Sequence, residues 1–169
     1  MNWLFYLCFM FVLYSFLGWI LEEVYCYIIR GRFKYNGFLY GPFKPMYGTA
    51  MTILIFLRNI VKVNDVLLII MCFIVPTVIE YITGIIMKTR FKKKYWDYSK
   101  IPFNIDGLVC LKFSIYWAIL TSLTIFIVQP IIDNIFFSRL NLFARLAIIL
   151  IIYITIDIIF TEKHLYSNR

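Results

Sequence analysis

The sequence contains little charge, since only 15% of its 169 residues are Asp, Glu, Lys or Arg, whereas a soluble domain carries about 25%. It has no phosphate loop of the form G-x-x-x-x-G-K-[ST], which excludes nucleotide hydrolysis by that route, and we do not expect an enzyme. The single histidine, His164, lies in a polar tail, and the four cysteines form no C-x-x-C pair. We therefore predict no metal site, no disulfide and no cofactor.

Hydrophobic residues make up 63% of the chain, which predicts an all-α, polytopic membrane bundle. We place one transmembrane domain over residues 1–169, with about five spans. The N-terminus lacks a basic region and a cleavage site, so it reads as a retained first helix. The predicted spans cover about 3–29, 46–60, 66–87, 106–129 and 142–160.

Loop 1, which joins the first two spans, combines helix-breaking and apolar residues. It runs RGRFKYNGFLYGPFKP from Arg30 to Pro45, and its glycines and prolines break helices. Irregular backbone at membrane depth is tolerated only when protein covers it or it lines a wet cavity. We therefore expect a re-entrant or interfacial loop. The residues predicted to have a structural role in the loops are Gly37, Gly41, Pro42, Pro45, Gly48 and Gly107.

The basic residues predict the orientation of the chain. Four lie in loop 1 (Arg30, Arg32, Lys34 and Lys44), and six lie between Lys88 and Lys100 in the loop before the fourth span. Cytoplasmic loops carry such an excess of Lys and Arg. We expect a multi-pass protein of the cell membrane with its N-terminus outside and its C-terminus in the cytoplasm. The net charge of +8 then indicates contact with anionic lipid headgroups rather than with nucleic acid.

Two of the acids inside predicted spans are candidates for a function, Glu22 and Glu80. Glu22 shares one helix face with Ser15 and Gly18, while Glu23 is expected to point toward the headgroups. Glu80 lies well inside the third span, where a charged side chain costs about 2.5–3.5 kcal/mol. An ionisable residue at that depth is a functional hypothesis by default.

The stretch from Trp96 to Trp117 concentrates hydrogen-bonding groups where the chain enters the membrane. We predict a cytoplasm-facing polar pocket walled by the first, third and fourth spans, with loop 1 as its floor. Two alternatives remain open: Glu22 and Glu80 pair with basic loop residues and only lock the bundle, or Glu80 is protonated. The candidate pocket residues are Glu22, Tyr47, Glu80, Trp96, Asp97, Tyr98, Asn104, Asp106 and Ser114.

Prolines and small residues predict further details of the spans. Pro76 is expected to kink the third span, and Pro130 to end the fourth. The fourth span presents a face of small and polar residues at three- and four-residue spacing, which favours close packing. Asp157 is placed in the last turn of the fifth span. The members of the small and polar face are Gly107, Cys110, Ser114, Trp117 and Thr121.

Five ordered motifs resemble a known family. They are S-F-L-G-W-I-L-E from Ser15, G-F-L-Y-G-P-F-K-P-M-Y-G from Gly37, E-Y-I-T-G from Glu80, W-D-Y-S from Trp96, and N-I-D-G-L-V-C-L from Asn104 with Ser114 and Trp117. In this order they resemble the small bacterial membrane proteins called putative type IV ABC-transporter permeases, or CmpB-like proteins. The chain departs from that pattern at Asn36, Lys44 and Asp106.

The resemblance implies a permease-like subunit of a multi-component transporter, working with a separate ATPase or as a homo-oligomer. A first alternative is a membrane-embedded enzyme acting on a lipid or isoprenoid-linked substrate. In that case four acids would serve as acid–base groups or as ligands of Mg²⁺: Glu22, Glu80, Asp97 and Asp106. A second alternative is a structural or regulatory membrane subunit without chemistry of its own.

Overall fold

The computed structural model describes residues 3–33 and 37–167. Lys34 and Asn36 of loop 1, named above, lie outside the described residues. The described chain contains six α-helices, two π-helical segments and one short β-hairpin. In chain order they are α1 (Trp3–Arg30), α2 (Pro45–Phe56), π1 (Leu57–Val61), α3 (Asp65–Thr89), β1 (Asn104–Ile105), β2 (Val109–Cys110), α4 (Leu111–Leu123), π2 (Thr124–Val128), α5 (Gln129–Ser138) and α6 (Leu140–Ser167).

The predicted all-α membrane class is confirmed. Within residues 3–33 and 37–167, four helical stretches are long and apolar enough to cross a bilayer: Trp3–Ile29, Asp65–Thr89, Leu111–Ser138 and Leu140–Leu165. The helix Pro45–Val61 is apolar but shorter. The chain forms two compact units, one of Met1–Thr49 with Asn141–Arg169 and one of Ala50–Leu140.

In the first unit, the described part of loop 1 folds onto the helices. Leu39 and Phe43 are buried and form a core cluster with Val12 of α1 and Ile154 of α6. The Lys44 N–H also donates to the Ser15 carbonyl at 2.9 Å. These contacts cover the irregular backbone of loop 1 with protein, as its apolar composition predicted.

The first turn of α2 packs closely on α1 because both helices supply glycine. A side chain at Gly18 would collide with the ring of Tyr47, and one at Gly48 would collide with Ser15. The two glycines therefore permit the close approach of the helices.

In the second unit, α3 packs antiparallel to α4. The buried residues of α3 are spaced three or four positions apart and form one face of the helix: Leu68, Cys72, Pro76, Glu80, Gly84 and Met87. Ser114 and Thr121 are the buried residues of α4, both from the small and polar face predicted for the fourth span. Glu80 bonds Trp117 and Cys72 bonds Thr121, which fixes the antiparallel pairing.

The predicted start of the fourth span near Asp106 is wrong. The helix begins at Leu111, and residues 104–110 form a hairpin in which Asn104 pairs with Cys110. Asp106 and Gly107 have φ of +54° and +69°, and the Leu108 N–H donates to the Ile105 carbonyl. Positive φ at both central residues characterises a type I′ turn, for which Asp-Gly is a preferred pair.

Two other predicted helix limits are also wrong. Pro130 does not end the fourth span, because the chain continues through π2 into α5 and reaches Ser138. Pro130 lies in the first turn of α5, directly after π2, and its missing N–H leaves a carbonyl of π2 without a backbone donor. Asp157 is not in the last turn of its helix, since α6 extends ten residues further, to Ser167.

Candidate functional site

Glu80 is the most buried of the predicted site acids, with 3% of its surface exposed. The Tyr98 hydroxyl donates to Oε1 at 2.9 Å, and the Trp117 indole Nε1–H donates to Oε2 at 3.2 Å. Across residues 3–33 and 37–167, these neutral groups are its donors, and no Lys or Arg forms an ion pair with it. The alternative in which a basic loop residue pairs with Glu80 therefore does not hold.

The depth of Glu80 follows from its position in α3. It lies nine residues before Thr89, the last residue of the helix, or about 14 Å along the axis. Gly84, one turn further on, leaves room for the loop to approach α3. A Cβ at Gly84 would lie 3.1 Å from Leu108 and 3.3 Å from the Trp96 ring.

The polar loop reaches Glu80 because it folds back over α3 and α4. The Trp96 indole donates to the Leu108 carbonyl at 2.7 Å, and the Tyr98 N–H donates to the Gly107 carbonyl at 2.9 Å. The Tyr98 ring stacks on Phe113 of α4, with centroids 4.8 Å apart. These contacts fix the ring whose hydroxyl bonds Glu80.

Asn104 serves the loop itself. Its amide nitrogen donates to the Ile101 carbonyl at 2.7 Å, and its oxygen accepts from the Gly107 N–H at 3.0 Å. Those bonds satisfy backbone groups of the turn. Asn104 is therefore a structural residue of the loop.

Asp97 closes a second local turn. One oxygen accepts from the Ser99 N–H at 2.9 Å, and the other forms an ion pair with Lys94 at 2.7 Å. Lys94 first, and then the Ser99 N–H, hold the pKa of Asp97 well below its usual range. With this lowered pKa, Asp97 remains ionised at neutral pH. Half of its side chain is exposed, so it lies at the edge of the Glu80 site.

Two other predicted site residues lie near this loop. Asp106 accepts a hydrogen bond from the Tyr81 hydroxyl at 2.7 Å at an exposed position. Ser114 is buried on α4, three residues before Trp117. The residues that the structure gathers within the second unit are therefore Glu80, Trp96, Asp97, Tyr98, Asn104, Asp106 and Ser114.

Glu22 and Tyr47 belong to the first unit. Glu22 forms an ion pair with Lys44 at 2.9 Å, as the bundle-locking alternative expected for this acid. The expectation for Glu23 was wrong, because Glu23 is the more buried of the two acids, with 8% exposed. A shared cavity for Glu22 and Glu80 stays a prediction.

Asp157 was not predicted as a site residue, yet it holds loop 1. Its carboxylate accepts from the Tyr40 N–H at 3.2 Å and from the Gly41 N–H at 2.8 Å. A Cβ at Gly41 would lie 2.9 Å from the Tyr153 hydroxyl, so glycine is required for this approach. The signal in the sequence was a non-helical G-P loop whose N–H groups needed an acceptor.

A groove on the first unit adjoins this contact and is lined by Tyr40, Tyr153, Ile156, Asp157, Phe160 and His164. Among the described residues, no three His, Cys, Asp or Glu side chains lie close enough together to hold a metal ion. The four cysteines are free thiols.

The fold and the buried acid define a multi-pass membrane protein with a polar site inside a helix pair. Residues 9–162 match the family described as putative ABC-transporter type IV. The chain belongs to this family, and its general role is that of a transporter component. Searches of curated proteins and of solved structures gave no match.

Proposed function

We propose that the chain is a permease-like membrane subunit of a multi-component transporter and that Glu80 is the ionisable group of its polar site. The observation that supports this most is the setting of Glu80, an acid inside a membrane helix that is hydrogen-bonded by neutral donors. An ion pair that only locked two helices would neutralise the charge. Tyr98 and Trp117 donate to the Glu80 oxygens without supplying a counter-charge, so the group can take up a proton or bind a cationic group of a substrate.

The site opens to the cytoplasm in this proposal. The loop that covers Glu80 follows the basic run Lys92-Lys93-Lys94, which the positive-inside rule places in the cytoplasm. The N-terminus is then outside, the C-terminus is cytoplasmic, and anionic headgroups of the cell membrane contact the basic loop.

A separate ATPase supplies the energy, because the sequence holds no phosphate loop. The exposed basic loop between α3 and the hairpin is the surface that we propose for its docking. The first test is purification of the tagged full chain from its native membranes, followed by mass spectrometry of the bound chains. We expect an ATP-hydrolysing subunit to co-purify.

Glu80→Gln then tests the site apart from the assembly. We expect the variant to bind the same partners and to lose transport-linked ATP hydrolysis. The matched control is Asp65→Asn, which removes an exposed acid at the other end of the same helix and should behave as wild type.

The other hypotheses predict different outcomes. If Glu80→Gln functions as wild type, Glu80 has no role in transport and a structural or regulatory subunit is favoured. If no ATPase is recovered and Mg²⁺ stabilises the wild type but not Glu80→Gln, the site is that of a membrane-embedded enzyme.

A further inference from the structure

Arg58 lies at the end of the second unit that is opposite to Glu80. Its guanidinium donates to the Ile125 carbonyl and lies 5.8 Å from the centre of the Phe126 ring. Thr121, four residues before Ile125, bonds Cys72, so antiparallel pairing sets Ile125 level with Leu68. Leu68 is three residues from Asp65, the start of α3, and Arg58 is therefore about one turn inside that end of the helix pair.

The Ile125 carbonyl needs a donor because π2 and Pro130 remove its own. In an α-helix the Gln129 N–H would bond Ile125, but here it bonds the Thr124 carbonyl. The π-helical donor would be residue 130, which is proline and has no N–H. An unsatisfied carbonyl within the membrane costs several kcal/mol, so a side chain has to supply the bond.

A neutral side chain is sufficient for that task, as the same unit demonstrates. Pro76 deprives the Cys72 carbonyl of its donor in the same way, and the Thr121 hydroxyl replaces it at 3.0 Å. At Ile125 the donor is instead an arginine. The need to bond the Ile125 carbonyl therefore explains why a hydrogen-bond donor lies at this position. It does not explain why that donor carries a positive charge.

The charge of Arg58 has no carboxylate partner in the described part of the chain. Asp133 of α5 is the acid on the adjoining face, and its two oxygens accept from the amides of Gln129 at 2.7 Å and Asn59 at 3.3 Å. Lys62 and Arg139 add positive charge at this end of the unit, and Asp65 adds negative charge. The local balance, with Arg58 and Asp133 included, is one net positive charge.

We propose that Arg58 is the main residue of an oxyanion-binding site for a phosphate group at this end of the helix pair. A guanidinium has five N–H donors in a planar fork that matches phosphate oxygens. The Ile125 carbonyl and the Phe126 ring hold the fork in place. A lipid headgroup or a phosphorylated solute would supply the same chemistry. This site does not depend on the function proposed for Glu80.

The test uses the full chain purified in a non-ionic detergent. Thermal unfolding is measured with inorganic phosphate against chloride at equal ionic strength. It is also measured with short-chain phosphatidylglycerol against a diacylglycerol that lacks phosphate. We expect at least one phosphate probe to raise the unfolding temperature in a saturable way. Phosphate alone identifies a solute site, and phosphatidylglycerol alone identifies a lipid site.

Three variants distinguish specific binding of phosphate by Arg58 from non-specific attraction to the positive charge of the surface. Arg58→Gln keeps a polar amide donor but removes the charge, and its affinity should fall at least tenfold. Lys62→Gln removes an exposed charge of the same sign nearby and should bind as wild type. Arg58→Lys keeps the charge without the fork and should bind severalfold more weakly.

The proposal is overturned if no probe stabilises the wild type, or if Arg58→Gln binds as tightly as wild type. It is also overturned if Lys62→Gln loses as much affinity as Arg58→Gln, since diffuse charge would then explain binding. Should Arg58→Gln fail to fold, Arg58→Lys against Lys62→Gln decides the question: weaker binding by Arg58→Lys supports the site, and equal binding rejects it.

Discussion

At the scale of single residues, the Glu80 carboxylate depends on the hydroxyl of Tyr98. Tyr98→Phe keeps the ring stacked on Phe113 but removes the donor at 2.9 Å. A buried acceptor left without its partner costs about 1–3 kcal/mol. We expect the free energy of unfolding in detergent to fall by about that amount.

Tyr81→Phe is the matched control for this change. This change also removes a tyrosine hydroxyl, but from Tyr81, the residue after Glu80, whose bond to Asp106 is exposed. Substitutions at exposed positions usually change stability by less than about 0.5 kcal/mol. Equal losses in the two variants would contradict a special role for the Tyr98–Glu80 bond.

Asp97 gives a pH-dependent prediction. Its folded-state pKa is depressed by Lys94 and the Ser99 N–H, so it contributes stability above its unfolded pKa of about 3.9. That contribution is lost as the pH falls from there toward the folded pKa. Asp97→Asn should therefore be less stable than wild type at pH 7, and the difference should shrink at pH 3.

Because the pair is exposed, the Asp97 effect is small and weakens in salt. Detergent unfolding at both pH values, with and without added salt, measures it. A difference that grew on acidification would show that the sign assigned to the pKa shift is wrong.

The sequence identified polar residues better than it identified their roles. Asp97, Asn104 and Asp106 were predicted for a pocket because they lie near the membrane entry. The structure uses Asn104 and Asp97 to satisfy backbone groups of turns. Residue type and position cannot distinguish a pocket from a turn, because Asn and Asp bond nearby backbone in either setting.

At the scale of elements, two prolines couple neighbouring helices in the second unit. Pro76 and Pro130 each leave a carbonyl that a side chain from another helix satisfies, through Thr121 and Arg58. The sequence predicted that Pro130 would end a helix. It could not predict that the helix continues, because Arg58, the side chain that bonds the freed carbonyl of Ile125, lies 67 residues away along the chain. The kink predicted at Pro76 stays a prediction.

Thr121→Val tests this coupling. The change keeps the shape of the side chain but removes the donor to Cys72, and we expect a loss of about 1–3 kcal/mol in detergent unfolding. In a Pro76→Ala background the restored N–H can bond Cys72, so the loss should be smaller.

Thr124→Val serves as the control, because the Thr124 hydroxyl donates to the Leu120 carbonyl of its own helix, and the change should alter stability little. A loss in Thr121→Val that is unaffected by Pro76→Ala would reject the coupling.

The hairpin could have been predicted but was missed. Asp-Gly between Ile105 and Leu108 is the strongest short-range hairpin signal. The apolar run that follows the turn favours helix and obscures this signal. The correct limit shortens the fourth helix and brings Leu108 and Trp96 against Gly84.

At the scale of the whole molecule, the membrane class and the family were predictable and the division into units was not. Long apolar runs indicate the membrane class, and five motifs in fixed order indicate the family. The boundary between the units falls between Thr49 and Ala50, inside the continuous helix α2. No linker composition marks such a boundary, since it arises from packing between distant parts of the chain.

Orientation is the remaining prediction at this scale, and one helical stretch tests it. Leu111–Ser138 is long enough to cross a bilayer, so Lys93 before it and Arg139 after it should lie on opposite sides. In a chain with its four cysteines replaced by alanine, an impermeant thiol reagent applied to intact cells should label Arg139→Cys but not Lys93→Cys. Both residues are exposed, so both should react once the membrane is opened. Labelling of Lys93→Cys alone would reverse the orientation and place Glu80 near the outer face, which would leave no cytoplasmic surface for an ATPase at the basic loop.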